Sequence, residues 1–275
     1  MGLWDVAKAF SALGCEATWF EGTDPDLIEN VDNFAPDLIY TEQSTGKIAR
    51  ALPKARIWYA VNDCFVVMGK PMHDRVVRNA ERADFVSCNS LMSSSYLGDL
   101  TKRKVYHMPV PIDADVMQQD KASKQKTHDL CFIGTKKTHR INVLNSLGER
   151  YSCACYGRGY RHIASYEEFP RYLKGHVNLN LRERDDWPMT ISTRVARLLA
   201  CGEFVLSEKG DLEPFVVGEH LMACETKDLE EVIDEYLRNP DNYDHIKWAG
   251  HQYVMRELTL EATARRMLRI VDGRE

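Results

Sequence analysis

Two groups of basic residues follow apolar runs that read as strands. In the first, Gly134 and Thr135 close the run Asp129 to Ile133, and Lys136, Lys137 and Arg140 come next, where a helical pattern begins. In the second, Val177 to Leu181 empties into a polar loop of Arg182, Glu183, Arg184, Asp185 and Asp186, and Ser192 or Thr193 then caps a helix that carries Arg194 and ends at Gly202. The chemistry these residues suit is anion binding. A glycine at a strand end allows close approach of a ligand to the backbone, guanidinium and ammonium groups suit phosphate, and free N–H groups at a helix start attract negative charge. Arg194 in a first turn opposes the helix macrodipole unless an anion sits nearby. In an α/β fold such a place, at the carboxyl ends of strands, receives the phosphates of a nucleotide or sugar nucleotide. The competing roles are a solvated loop for the lysines and a salt bridge from Arg194 to Asp185 or Asp186.

Other residues offer less. Asp63 directly follows a strand end, where its carboxylate could take a proton from a hydroxyl as general base; a loop cap is its bland alternative. His73, His107 and His139 stand alone in the sequence and are assigned surface or packing roles. Trp58 and Tyr59 fit a core, whereas Trp187 could stack on a base or sugar. The eight cysteines lie mostly in apolar runs, without zinc spacing, and read as buried free thiols. That usage points to a reducing, cytoplasmic compartment. The start of the chain lacks the basic and apolar regions of a signal peptide.

The elements that must hold these groups alternate between strand and helix. The 275 residues suit two domains, and with 44% hydrophobic and 28% charged residues the composition is that of an ordinary globular chain. No apolar run reaches the ~20 residues of a membrane span. The net charge of −5 argues against a broad nucleic-acid footprint. A first series runs as a helix to Gly14, a strand Ala17 to Glu21, a helix Pro25 to Phe34, strands Asp37 to Glu42 and Arg56 to Val61 around a short helix, a helix His73 to Arg82, a strand Asp84 to Cys88, a helix Asn89 to Leu100 and a strand Lys104 to Met108. The strand and glycine-rich turn that usually open such a domain do not precede the first helix, so the first sheet is expected to lack its first strand. The lysine-rich stretch near Gln118 to His128 reads as a linker. A second series follows, with helices over 139–150 and 166–175, strands over 129–133, 151–156, 177–181 and 204–207, and three closing helices over 227–238, 243–258 and 260–271. Strands that are apolar throughout predict parallel sheets covered on both faces. The expected layout is therefore two doubly wound units: 1–113, a linker over 114–128, 129–258, and a helix in 259–275 that crosses back to the first.

Several motifs in order carry a resemblance. Phe132-Ile-Gly-Thr135 with Arg140, Asn178-Leu-Asn-Leu181, Asp186-Trp-Pro188, Arg194, Ala200-Cys-Gly202, Asp211-Leu-Glu-Pro-Phe215, the run ending at Pro240, and Gly250 to Leu260 are similar to the CgeB-like glycosyltransferases of the GT-B fold. A looser match covers Trp58 to Asp63, Ala83-Asp84 and Met108 to Asp113. The resemblance implies two Rossmann-like domains around a cleft, with a nucleoside diphosphate sugar bound mainly by the second and an acceptor mainly by the first. It also implies no obligatory metal or other cofactor, so that helix N-termini and basic side chains must stabilise the leaving diphosphate. On this pattern Gly134, Thr135, Lys136, Arg140, Arg182, Ser192, Thr193 and Arg194 grip the phosphates, Asp211, Leu212 and Glu213 face the sugar or ribose, and Asp63 and Arg194 carry catalysis. For Asp211 and Glu213 the alternative is to cap a helix over Leu212 to Val217. Related retaining enzymes carry paired glutamates where this chain has Met189 and Arg197, which removes the usual ribose contact.

The leading expectation is a metal-independent transfer of a sugar to an acceptor hydroxyl on a glycan or small molecule. Two other functions stay open. One is a catalytically silent module of the same fold that recognises a glycan or a partner. The other is transfer to modified DNA bases, for which Arg50, Lys54, Lys70, Arg75 and Arg78 would have to form a basic stripe.

Overall fold

The computed structural model describes residues 3–20, 26–42, 45–62, 70–118, 125–160, 166–186 and 192–275. They form two compact units, one made of Gly2–Val110 with Ala264–Glu275 and the other of Pro111–Thr263.

The first unit runs α1 (Leu3–Ala12), α2 (Leu27–Phe34), β1 (Leu38–Thr41), α3 (Thr45–Ala51), β2 (Arg56–Val61), α4 (Lys70–Arg82), β3 (Phe85–Cys88), α5 (Leu91–Thr101) and β4 (Tyr106–His107). Its sheet is parallel and ordered β1-β2-β3-β4, with Trp58 beside Phe85 and Val61 beside Cys88. Such an order winds in one direction, and right-handed crossovers then put the connecting helices on one face. The alternation along β2 agrees. Ile57, Tyr59 and Val61 pack with Val76, Ala80 and Leu97 of α4 and α5, while Trp58 and Ala60 point the other way. The strand expected over Ala17 to Glu21 is not formed: 17–20 have no regular structure, and Glu21 lies outside the described residues. Phe20 instead meets the edge of Phe34 on α2, so its apolar surface is spent on a helix.

The second unit continues with α6 (Ala114–Gln118), β5 (His128–Ile133), α7 (Thr138–Gly148), β6 (Cys153–Tyr156), β7 (Gly175–Asn180), α8 (Thr193–Ala200), β8 (Val205–Glu208), β9 (Met222–Cys224), α9 (Leu229–Arg238) and α10 (Asp244–Glu257). Its parallel sheet is ordered β6-β5-β7-β8-β9. The chain leaves β5 toward β6 and returns to the other side of β5 as β7, which creates a switch point between them. Both faces are covered. Leu130 and Phe132 pack on α7 and α9, whereas Cys131 and Ile133 pack on α8 and α10. The segment entering this unit is pinned to it, since Ile112 donates its N–H to Leu258 O and accepts from Leu260 N, each at 2.9 Å.

Two expectations for this unit are corrected. The helix over 166–175 is only a 3-10 turn at Phe169–Tyr172: Pro170 has no N–H to give, and Gly175 already starts β7, where a Cβ would stand 2.3 Å from Cys131 N. Leu212 to Val217 form no helix either. Phe215 N closes a turn on Leu212 O at 3.0 Å, and the Glu213–Pro214 bond is cis. The last helix, α11 (Leu260–Val271), buries Met267 and Ile270 against Trp58, Ala60 and Met108. It thereby covers the face of the first sheet that the connecting helices leave open.

Candidate functional site

The switch point between β5 and β7 gathers most of the basic residues singled out above. β5 ends at Ile133 and Gly134 follows. A Cβ on Gly134 would lie 2.9 Å from Arg194 Nη2 and 2.9 Å from Phe132 Cζ, so the missing side chain is what admits the Arg194 guanidinium. Gly157, just after β6 with φ +113°, abuts the same backbone, and a Cβ there would stand 2.4 Å from Gly134 O. Gly134 N in turn donates to Tyr156 O at 2.9 Å. The ends of β5 and β6 are thus held backbone to backbone.

Arg194 is placed by α8. Ser192 caps this helix by accepting from Arg194 N at 3.2 Å, as its residue type favours. The guanidinium lies over the Phe132 ring, 4.8 Å from its centre, and Nη1 donates to Asn180 Oδ1 at 3.1 Å. Donor accounting fixes that contact. Ser207 Oγ gives its hydrogen to Glu208 O and so accepts from Asn180 Nδ2 at 2.9 Å, which leaves Oδ1 for an arginine that can only donate.

Arg140, in the first turn of α7, approaches the same ring at 5.6 Å. Its Nε donates to Leu181 O and Arg182 O, both at 3.1 Å, and its Nη1 to Thr135 O at 3.0 Å. Both arginines are buried. Among the described residues neither is paired with a carboxylate, because Asp185 pairs with His139, Asp186 with Arg184 and Glu183 with Lys137. The sequence alternative of a salt bridge from Arg194 to Asp185 or Asp186 is therefore excluded. Burial, then the neighbouring charges of Arg140 and Arg197, push the Arg194 guanidinium down to about 9, and burial lowers that of Arg140 against the opposing charges of Glu183 and Glu208. Cations desolvated with little counter-charge, Arg194 above all, are costly. An anion between them would remove that cost.

Arg197, one turn further along α8, lies over the Tyr166 ring at 4.3 Å, and burial lowers it as well. Lys136 is exposed, with its Nζ 5.6 Å from the centre of the Tyr160 ring. Thr135 contributes its carbonyl to Arg140, and Thr193 opens α8. Arg182 is differently engaged: its N–H donates to Glu208 Oε2 at 2.6 Å and its Nε lies 3.4 Å from the same oxygen. Of the three residues expected at the sugar, Leu212 is a buried core residue, Asp211 is half-buried and Glu213 is exposed. Asp63, Trp187 and Met189 lie outside the described residues.

The sequence reading missed His139 and Glu208. His139 is buried between Asp185, at its Nδ1, and Glu208, at 2.9 Å from its Nε2. Glu208, fully buried at the end of β8, also accepts from Thr226 Oγ1 at 2.6 Å. Burial would raise this carboxyl, but Thr226, the Arg182 N–H and His139 hold it below the usual carboxylate range. Together these groups tie the Arg182–Asp186 loop to the first turn of α7, beside Arg140. The partners are separated by 69 residues, so no local pattern announces them.

Known proteins resemble this chain in fold. The model of a family described as glycosyl transferase-like matches residues 138–269. Among curated proteins no sequence match is found. The chain superposes on HepE of Anabaena solved with UDP-glucose, with a TM-score of 0.71 at 13% identity over 98% of this chain and 94% of that one. The fold is the GT-B fold. A glycosyltransferase of Rickettsia africae gives a TM-score of 0.69 at 12% identity (98% and 93% covered), and a sucrose-phosphate synthase of Thermosynechococcus elongatus gives 0.66 at 13% (98% and 91% covered). At these identities the GT-B likeness concerns the fold. The matched family segment begins at the first turn of α7 and contains Arg140, Arg194, Arg197 and Glu208. Among the described residues no helix is long and apolar enough to cross a membrane, and every described cysteine is a free thiol.

Proposed function

We propose that the protein transfers a sugar from a nucleoside diphosphate sugar to an acceptor hydroxyl. The observation that carries this reading is the pair of buried guanidinium groups, Arg140 and Arg194, on either side of the switch point, neither in an ion pair with a carboxylate among the described residues. A diphosphate between them would satisfy both, and the N–H groups at the start of α8 would add to its field. As the glycosidic C–O bond breaks, the departing diphosphate gains negative charge, and cations already in place stabilise that state without reorganising. In this reading no metal is needed, and turnover persists in the presence of a chelator. The HepE structure was solved with UDP-glucose, which supports a uridine donor as the first to try.

Gly134, Thr135, Lys136, Ser192 and Thr193 would line the phosphates, with Asp211 and Glu213 toward the sugar or ribose. Arg182 would act mainly through Glu208, shaping the loop. Asp63 is the proposed base toward the acceptor, and Asp63→Asn should slow transfer while leaving donor affinity unchanged. Incubation with UDP-, GDP- and dTDP-sugars, read by nucleoside diphosphate release and by melting temperature, tests the whole reading. Release from one of them is expected. A melting shift without release would instead favour a silent binding module, and no response to any nucleotide would sink the donor site.

A further inference from the structure

Tyr160 is not among the phosphate-binding residues expected from the sequence, yet its position beside them is distinctive. It follows β6 in a turn closed by its own N–H on Gly157 O at 2.9 Å. Its ring meets the edge of Phe132, centres 6.0 Å apart, and Phe132 is the ring on which Arg140 and Arg194 rest. The hydroxyl is closed off from solvent and has no hydrogen-bond partner. A buried hydroxyl left unpaired costs stability, and such groups in native proteins call for a reason.

We propose that the Tyr160 hydroxyl is a ligand-binding donor, aimed at a phosphate oxygen of the group that Arg140 and Arg194 hold. This rests on the functional reading above and extends it by one residue and one contact. The chemistry is consistent from each side. A phosphate offers acceptors only and so suits the two guanidiniums, Lys136 and this hydroxyl, all of them donors, while Glu183 and Glu208 are engaged by Lys137, His139 and the Arg182 N–H. Burial raises the Tyr160 phenol, with Arg140 opposing, so the group stays a neutral O–H that can donate at physiological pH.

The proposal makes stability and binding move in opposite senses, which a packing role for Tyr160 does not. Tyr160→Phe keeps the ring on Phe132 and deletes only the orphaned oxygen. The ligand-free variant should melt no lower than the parent protein, whereas affinity for the tightest of UDP, GDP and dTDP, measured by calorimetry, should fall about tenfold or more. Inorganic pyrophosphate, titrated alongside, should weaken in parallel. If the parent binds a nucleotide and the variant binds it equally well, the Tyr160 assignment is wrong while the donor site stands. If nucleotide affinity falls but pyrophosphate affinity does not, the contact is to the nucleoside and the phosphate assignment is overturned. If the parent binds neither nucleotide nor pyrophosphate, the donor-site reading itself fails and this inference goes with it.

Discussion

Both units carry a parallel sheet, but the carboxyl ends of their strands are furnished in opposite ways. In the second unit the order β6-β5-β7-β8-β9 opens a switch point, where Arg140 and Arg194 are buried and form no ion pair with a carboxylate among the described residues. In the first the order β1-β2-β3-β4 has no reversal, and the strand ends carry amides and a carboxylate. Asn62 Nδ2 donates to Glu42 Oε1 at 2.6 Å, and Asn89 Nδ2 donates to Asn62 O at 2.5 Å. Tyr40 lies 3.5 Å from Glu42, and burial with that carboxylate raises its phenol strongly. An anion is attracted by the first arrangement and repelled by Glu42 in the second, whereas a hydroxyl-bearing molecule suits amides and a carboxylate.

Four changes would break or sharpen that contrast. The largest effect is expected from the double variant Arg140→Met with Arg194→Met, in which two charge-assisted contacts to phosphate are lost. Each is worth about 1.5–3 kcal/mol, so nucleoside diphosphate binding should fall beyond calorimetric detection. The ligand-free protein should melt lower, since Leu181 O, Arg182 O, Thr135 O and Asn180 Oδ1 lose their donors, so affinity is read at a temperature where both proteins are folded. Gly157→Ala comes next. Its Cβ would meet Gly134 O at 2.4 Å, and the φ of +113° disfavours any side chain. A loss of about 1–3 kcal/mol in denaturant unfolding, with a roughly tenfold weaker nucleotide, is the expected result.

The third change is in pH. In the ligand-free fold Arg194 is lowered to about 9 from its ordinary 12.5, so at neutral pH the folded state holds a proton it binds less well than the unfolded chain does. Raising the pH above about 9 relieves that cost in the ligand-free protein. A bound anion restores the higher value, so binding takes up a proton there, and affinity should fall by about tenfold per pH unit above 9 and stay flat between 7 and 8. The smallest effect concerns the first unit: Glu42→Gln should leave nucleotide affinity within about twofold, as expected for a site separate from the phosphates.

Much of this was readable in the sequence. Gly134, Arg140, Ser192 and Arg194 stand out because each sits at a strand end or helix start, where local pattern and local chemistry coincide. The alternation of elements was legible for the same reason, and β2 and α11 have the bounds their periodicity suggests. The failures have physical causes. β9 is three residues long, too short to show a period. Ala17 to Phe20 have strand-forming types but find no neighbouring strand. His139 reads as a lone histidine until its two carboxylates arrive from β8 and from the loop after β7. Tyr160 carries no sequence signal, because its interest lies in a hydrogen bond it does not make.

The central claim is that the switch point of the second unit is a diphosphate site built on Arg194. Calorimetric titration of UDP, GDP and dTDP into the parent protein and into Arg194→Met tests it most directly. Binding of at least one nucleotide to the parent is expected, with roughly 100-fold weaker binding to the variant, as loss of one charge-assisted contact implies, both titrated where circular dichroism shows the two proteins folded. Equal affinity in the two proteins, or no nucleotide binding in the parent, would contradict it.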